Sequence, residues 1–156
     1  MGRYIRLISP VDFQTKVIYE IEVNKTVDHT GELTEWASVI DTSINTEDVI
    51  KSYDLDLKSY LTAETVESGD TLIYKMSTIT RVDQLIILQA FNHVSNAKVE
   101  VQDIKGDWIE IGSLSEEGNV FDLNKEILGV RLTFDGKVTP KISEIMITDG
   151  TTDYLN

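Results

Sequence analysis

Ala97-Lys98-Val99-Glu100-Val101-Gln102, followed by Asp103-Ile104-Lys105-Gly106 and then Asp107-Trp108-Ile109-Glu110-Ile111, is the stretch that decides the fold class. Residues 98–102 alternate polar and apolar side chains, the period of a half-buried strand, because successive side chains of an extended chain point to opposite faces. Residues 107–111 resume an extended pattern directly after Lys105-Gly106, so the two runs read as a hairpin. The same grammar spreads outward in both directions. Residues 71–76 follow the turn Ser68-Gly69-Asp70, and 82–89 form a near-continuous apolar run suited to a strand covered on both faces. Residues 129–134 and 141–147 close the set, with Asp135-Gly136 between them. Short strands at this spacing, separated by turn signals, predict an all-β, antiparallel sandwich.

Upstream the pattern is mixed. Tyr4-Ile5-Arg6-Leu7-Ile8 and residues 16–23 read as strands flanking a turn at 10–12. Leu33, Trp36, Ala37, Ile40 and Ile44 then recur at helical spacing, predicting a short helix over 31–41 capped by Asp28 or Thr30. Asn45-Thr46-Glu47-Asp48 resembles a second helix start, with a turn of helix running to about Lys51. An internal echo links the two ends. Ile5-Arg6-Leu7 matches Val130-Arg131-Leu132, and Ile18-Tyr19-Glu20-Ile21-Glu22-Val23 matches Ile142-Ser143-Glu144-Ile145-Met146-Ile147. Either the chain holds two similar amphipathic hairpins, or residues 1–23 complete a preceding module and the sandwich occupies 24–156. The strand-like pattern beginning at once after Met1 reads as a boundary within a larger protein.

Composition excludes several functions. The 156 residues fit one domain, and 41% hydrophobic with 26% charged residues is ordinary for a globular chain. With 27 acidic against 14 basic residues, the formal charge of −13 disfavours nucleic acid, anionic membranes and polyanionic glycans such as hyaluronan. Neutral ligands, cationic surfaces and divalent cations stay open. There is no cysteine, so disulfides, thiol catalysis and thiolate metal sites are excluded together. No apolar run approaches the ~18 residues of a membrane-spanning helix. Only His29 and His93 supply imidazole, and the sequence has no Gly-x-Ser-x-Gly elbow, no His-Glu-x-x-His and no phosphate-binding glycine loop. An enzyme in its own right is not expected.

From Ser52 to Ile147 the chain resembles the discoidin-like (coagulation factor 5/8 type C) sandwich shared by family 32 carbohydrate-binding modules. Tyr53-Asp54-Leu55-Asp56-Leu57-Lys58-Ser59-Tyr60 is similar to the family's opening Asp-Gly-Asp…Thr-Trp turn, with Leu55 in place of the glycine and Ser59-Tyr60 in place of Thr-Trp. Val82-Asp83-Gln84-Leu85-Ile86-Ile87-Leu88-Gln89 resembles its central strand, and the Ala97–Ile111 region its strand, turn, Trp, strand hairpin. Val130-Arg131-Leu132 with Ile142-Ser143-Glu144-Ile145 is similar to its closing strands. More narrowly, residues 68–77, together with Leu88-Gln89 before Val94-Ser95-Asn96-Ala97, resemble C-terminal modules of secreted Gram-positive N-acetylglucosaminidases, including the hyaluronidase-like glycoside hydrolases of family 84. The resemblance implies a jelly-roll type sandwich and a non-catalytic, extracellular accessory module. Such a module binds neutral N-acetylhexosamine or galactose-type glycans, or packs as a spacer on an adjacent domain.

Three candidate sites follow. Sugar binding needs an aromatic face for C–H stacking and polar groups that fix hydroxyls. Phe91, Asn92 and His93 leave a strand and enter a loop, where they supply both or else merely shape the turn. His29 with Trp36 is similar to an early loop of some family 32 sites, although Trp36 falls on the apolar stripe of the proposed helix; Trp108 reads as structural. The resemblance also places a calcium ion between the opening turn and a closing strand, which here means Asp54, Asp56, Ser59 and Glu144, oxygen donors of the kind a hard cation takes.

Overall fold

The computed structural model describes residues 37–44, 46, 49–150, 153 and 155. Their strands are β1 (Ala37–Thr42), β2 (Leu61–Thr62), β3 (Thr71–Gln89), β4 (Ala97–Gln102), β5 (Trp108–Leu114), β6 (Gly118–Phe134) and β7 (Lys141–Thr148), with a 3-10 turn at Val49–Ser52. Every ladder between them is antiparallel. Two long strands organise the rest. The first part of β3 pairs with β1 and with the end of β6, whereas its second part pairs with β7 and with the start of β6. β4 and β5 extend the first layer beyond β6, and β2 extends the second beyond β7. The result is an all-β antiparallel sandwich whose two layers share β3 and β6.

The sequence shows how one strand serves both layers. Along β3, Leu72, Tyr74 and Met76 are buried, residues 77–79 are exposed, and Leu85, Ile87 and Gln89 are buried beyond them. The buried positions change from even to odd across register shifts at Lys75/Thr80 and Val82/Gln84. A one-residue slip exchanges the faces of a strand, and an irregularity in the ladder is how a strand changes sheet. β6 does the same, from Asn119, Leu123 and Ile127 to Val130, Leu132 and Phe134. Side chains of both layers meet in one core: Leu72, Tyr74, Val99, Val101, Leu132 and Phe134 with Leu85, Ile87, Ile145 and Ile147. Tyr74 is fully buried, and its hydroxyl lies 2.6 Å from Ser52 Oγ, tying the 3-10 turn to the core. Burial drives its phenol far above the ordinary range.

Four readings of the sequence meet the structure. The hairpin over 97–111 is present. Asp103 accepts the Lys105 and Asp107 amides, each at 2.9 Å, and Gly106 takes φ 92. The helix over 31–41 is not what Ala37–Thr42 forms; this segment is strand β1, paired with β3 from Ala37↔Met76 to Thr42↔Leu72. A free edge on β3 and the β-branched pair Val39-Ile40 outweigh a helical spacing that short. Residues 82–89 alternate rather than being covered on both faces, with Ile86 and Leu88 half-buried. The strand buried on both faces is β7, where Ile142, Ser143, Glu144 and Ile145 are all enclosed. Residues 1–23, with the repeat they carry, and the proposed helix positions Leu33 and Trp36 lie outside the described residues.

Candidate functional site

A buried glutamine sets the position of the loop that follows β3. Gln89 is 5% exposed, and its side chain is fully engaged. Its Oε1 accepts from the Ser95 amide (2.9 Å) and hydroxyl (2.7 Å), and its Nε2 donates to the Glu116 carbonyl (2.8 Å). The loop is thus closed at both ends on one side chain, and satisfying every polar atom is what makes that burial tolerable. Within it, the Ala90 amide donates to the Lys141 carbonyl (2.9 Å) and the His93 amide to the Ala90 carbonyl (3.0 Å). Asn92 takes φ 55, a left-handed conformation that asparagine tolerates, and its amide donates to Glu117 Oε1 at 2.7 Å. At the tip stands Phe91, 70% exposed.

The opposite wall comes from the segment before β2. Thr62 pairs with Lys141 and Leu61 with Ile142, which brings Tyr60 beside the start of β7. The Lys141 ammonium lies 5.2 Å from the centre of the Tyr60 ring. Between the walls is a cleft of about 470 Å³, lined on one side by Ala90, Phe91, Asn92 and His93 and on the other by Leu57, Lys58 and Tyr60, with Lys141. His93 Nε2 is 2.7 Å from the Thr139 carbonyl. A carbonyl only accepts, so this nitrogen carries the proton. Phe91, Asn92 and His93 thus line one wall of this cleft. The structure adds Tyr60, Lys58 and Lys141, which sequence reading passed over. Tyr60 had a signal, since it stands where the resembled family carries a tryptophan; the two lysines had none.

Trp108 is structural. It lies across Gly129, where an added Cβ would come within 3.4 Å of the indole and 2.9 Å of the Tyr74 carbonyl, and Arg131 covers its ring at 4.4 Å. His29 and Trp36 lie outside the described residues.

The opening turn is built from its own acids. Asp54 Oδ1 accepts the Asp56 amide (2.9 Å), Asp54 Oδ2 accepts the Ser59 hydroxyl (2.6 Å), and Asp56 Oδ1 accepts the Lys58 amide (3.0 Å). Glu144, 2% exposed on β7, reaches the same turn through Oε2, which accepts the Leu55 amide at 3.0 Å. Its Oε1 is buried with no hydrogen-bond partner. Burial pushes the Glu144 carboxyl up to about 8, the Leu55 amide works against that shift, and the negative fields of Asp153 and Asp54 add to it. Leu55 holds φ 62 where the resembled family has glycine. Thus Asp54, Ser59 and Glu144 meet at one turn, while Asp56 is directed along it to Lys58. Among the described residues, no group of three His, Asp or Glu side chains is gathered closely enough to hold a metal. Glu144 Oε1, enclosed and without a partner near Asp54, is an oxygen donor of the kind a hard cation takes.

No family model matches the sequence, and no curated protein does. Solved structures match closely in shape. A CBM32 module of a GH89 protein from Clostridium perfringens, in complex with GlcNAc-α-1,4-galactose, gives a TM-score of 0.60 at 17% identity, covering 72% of this chain and 90% of that one. A second C. perfringens module of the same kind gives 0.59 at 16% identity, over 70% and 91%. A Ruminococcus gnavus GH29 fucosidase in complex with fucose gives 0.58 at 20% identity over 78% of this chain, which spans 27% of that much longer one. The chain therefore has the fold of the discoidin-like sandwiches. In particular it has the fold of the family 32 carbohydrate-binding modules that the sequence resembled.

Proposed function

We propose that this chain is a non-catalytic glycan-binding module, with the cleft between Tyr60 and Phe91 as its site. The observation that carries the reading is Phe91, an aromatic side chain left 70% exposed on a loop whose anchoring is otherwise complete. A large, exposed apolar ring on a cleft of mixed apolar and polar lining supplies the stacking face, and Asn92 and His93 supply hydrogen-bonding groups. The volume is that of one or two sugar rings, and N-acetylhexosamine or galactose-type sugars are the first ligands to test. His93 is tied through Nε2 to a carbonyl, an arrangement that orients a ring rather than relaying protons. As part of a secreted, extracellular glycoside hydrolase of the hyaluronidase-like kind, such a module acts by raising the effective concentration of substrate at a tethered active site. In chemical-shift titrations with N-acetylglucosamine, N-acetylgalactosamine and galactose at millimolar levels, loop amides at 90–93 move, and Phe91→Ala abolishes the response. Silence across a broad glycan array overturns the reading.

A spacer role draws on a different surface. Val120, 60% exposed, stands directly opposite Ile86, which is opposite Met146, an apolar row on the outer face of the second layer. Tight association with a neighbouring domain of the parent protein, combined with glycan silence, selects this role.

The opening turn is proposed to hold calcium through Asp54 and Glu144, with turn carbonyls completing the set. Millimolar calcium then raises the melting temperature, EDTA abolishes the rise, and Glu144→Gln removes the response. A melting temperature indifferent to calcium rejects the site.

A further inference from the structure

We infer that the cleft prefers carboxylated sugars, uronic or sialic acids, to their neutral counterparts, and that Lys58 and Lys141 make the distinction. This rests on the reading of the cleft as a glycan site and names the class of sugar it takes. Acids outnumber bases nearly two to one in the chain, 27 against 14. The cleft inverts that balance: its lining holds Lys58, Lys141 and His93 and not one Asp or Glu. Among the described residues, neither lysine has a carboxylate within ion-pair distance. The ion pairs among the described residues use Arg81, Lys98, Arg131 and Lys137 instead. Lys141 further sets its ammonium over the Tyr60 ring, 5.2 Å from its centre, so a cation stands on the cleft wall that faces the Phe91 loop. Two acids border the cleft without lining it, and each already accepts a backbone amide: Glu117 that of Asn92, Asp56 that of Lys58.

The net charge of −13 does not decide this local question. Charges more than a Debye length away, ~8–10 Å at ordinary salt, are screened, whereas a ligand carboxylate in the cleft meets the lysines directly. The distant charge slows the encounter of an anion; the nearby charge decides what stays bound. Hyaluronan-like polymers, which need many such contacts along an acidic surface, differ in this from a single carboxylated residue at a chain end. Solvent-exposed ion pairs are individually modest, so two lysines yield about a three- to tenfold preference.

The test compares matched pairs by NMR titration of the isotope-labelled chain: methyl galacturonoside against methyl galactoside, and sialyllactose against lactose. The expected result is that at least one acidic member binds about three- to tenfold more tightly than its neutral partner, with a preference that shrinks as sodium chloride is added. The pair showing the larger ratio separates uronic from sialic acids. In Lys58→Gln/Lys141→Gln the ratio falls to about one, and Lys58→Gln alone, at an exposed position, lowers it partway. Neutral sugars binding as tightly as acidic ones, with binding lost in Phe91→Ala, overturns the charge inference and leaves the glycan module standing. A preference that survives in the double variant also overturns it. Failure of all four sugars to bind removes both.

Discussion

Two places among the described residues set a basic side chain against an aromatic ring, and they use it in opposite ways. On the outer face of β4, β5 and β6, Arg131 lies 4.4 Å over Trp108, its Nε bonds Glu100 Oε2 at 2.7 Å, and Lys98 meets the other carboxylate oxygen at 2.9 Å. Thr133 adds a hydroxyl to the same Glu100 oxygen. Every charge in that group is answered by another inside the protein. At the loop end, Lys141 lies over Tyr60 and Lys58 lines the same cleft, and among the described residues neither meets a carboxylate. The residue types are nearly the same; the pairing differs. A cation answered within the fold holds a sheet face together, while an unanswered one beside an exposed aromatic is offered to a ligand.

The comparison breaks first at Glu100, the carboxylate that closes the sheet-face network. Glu100→Ala leaves Arg131 without its partner and lowers stability by about 3 kcal/mol, read from the urea midpoint. A loss below about 1 kcal/mol would mean that Arg131 simply returns to water and the two regions are alike. Titration sharpens the point. Arg131 foremost, with Lys98, holds the Glu100 carboxyl at about 2 against an ordinary 4.5. A folded value below the unfolded one contributes stability that is fully present above about pH 4.5 and is lost as the pH falls towards 2. Glu100→Gln flattens the melting-temperature profile across that window.

Next in size is Gln89, on which the cleft loop closes. Gln89→Leu leaves the Ser95 amide and hydroxyl without an acceptor in an enclosed place, costs about 2 kcal/mol and speeds hydrogen exchange across residues 90–95. Sugar affinity falls with it. An unchanged exchange pattern would show that the loop is held by its own amide contacts alone. Phe91→Ala separates binding from folding, changing stability by no more than about 0.5 kcal/mol because the ring is exposed, while abolishing the sugar response. Smallest is Leu55→Gly. Releasing a left-handed non-glycine residue gains somewhat more than glycine's extra chain entropy loses, for a net stabilisation of about 0.5 kcal/mol in thermal unfolding.

The strand content from Thr71 onward was legible because alternation and turn residues are local signals. The break in β3 was misplaced for the same reason. Two runs at 71–76 and 82–89 look like separate strands, yet no Gly, Pro or Asn lies in Ser77-Thr78-Ile79-Thr80-Arg81, and the chain continues through as one bent strand. The early part of β6 went unread because Asn119, Asp122, Asn124, Lys125 and Glu126 dilute its alternation, and Asn124 takes φ 51 within it. Phe91-Asn92-His93 stood out as an aromatic with polar neighbours after a strand. Lys58 and Lys141 did not, being 83 positions apart and joined only when β2 pairs with β7.

By itself, the sequence determined that this chain folds as antiparallel β-structure, since period-two burial is written residue by residue, and that cysteine chemistry plays no part. The tertiary structure alone decided that Glu144 is enclosed beside an acidic turn, that β3 and β6 cross between layers, and that two lysines of an acidic chain share one cleft with an exposed phenylalanine. The reason is physical. Alternation is a property of neighbours along the chain, whereas a site is made by side chains that only the pairing of distant strands brings within a few ångströms of one another.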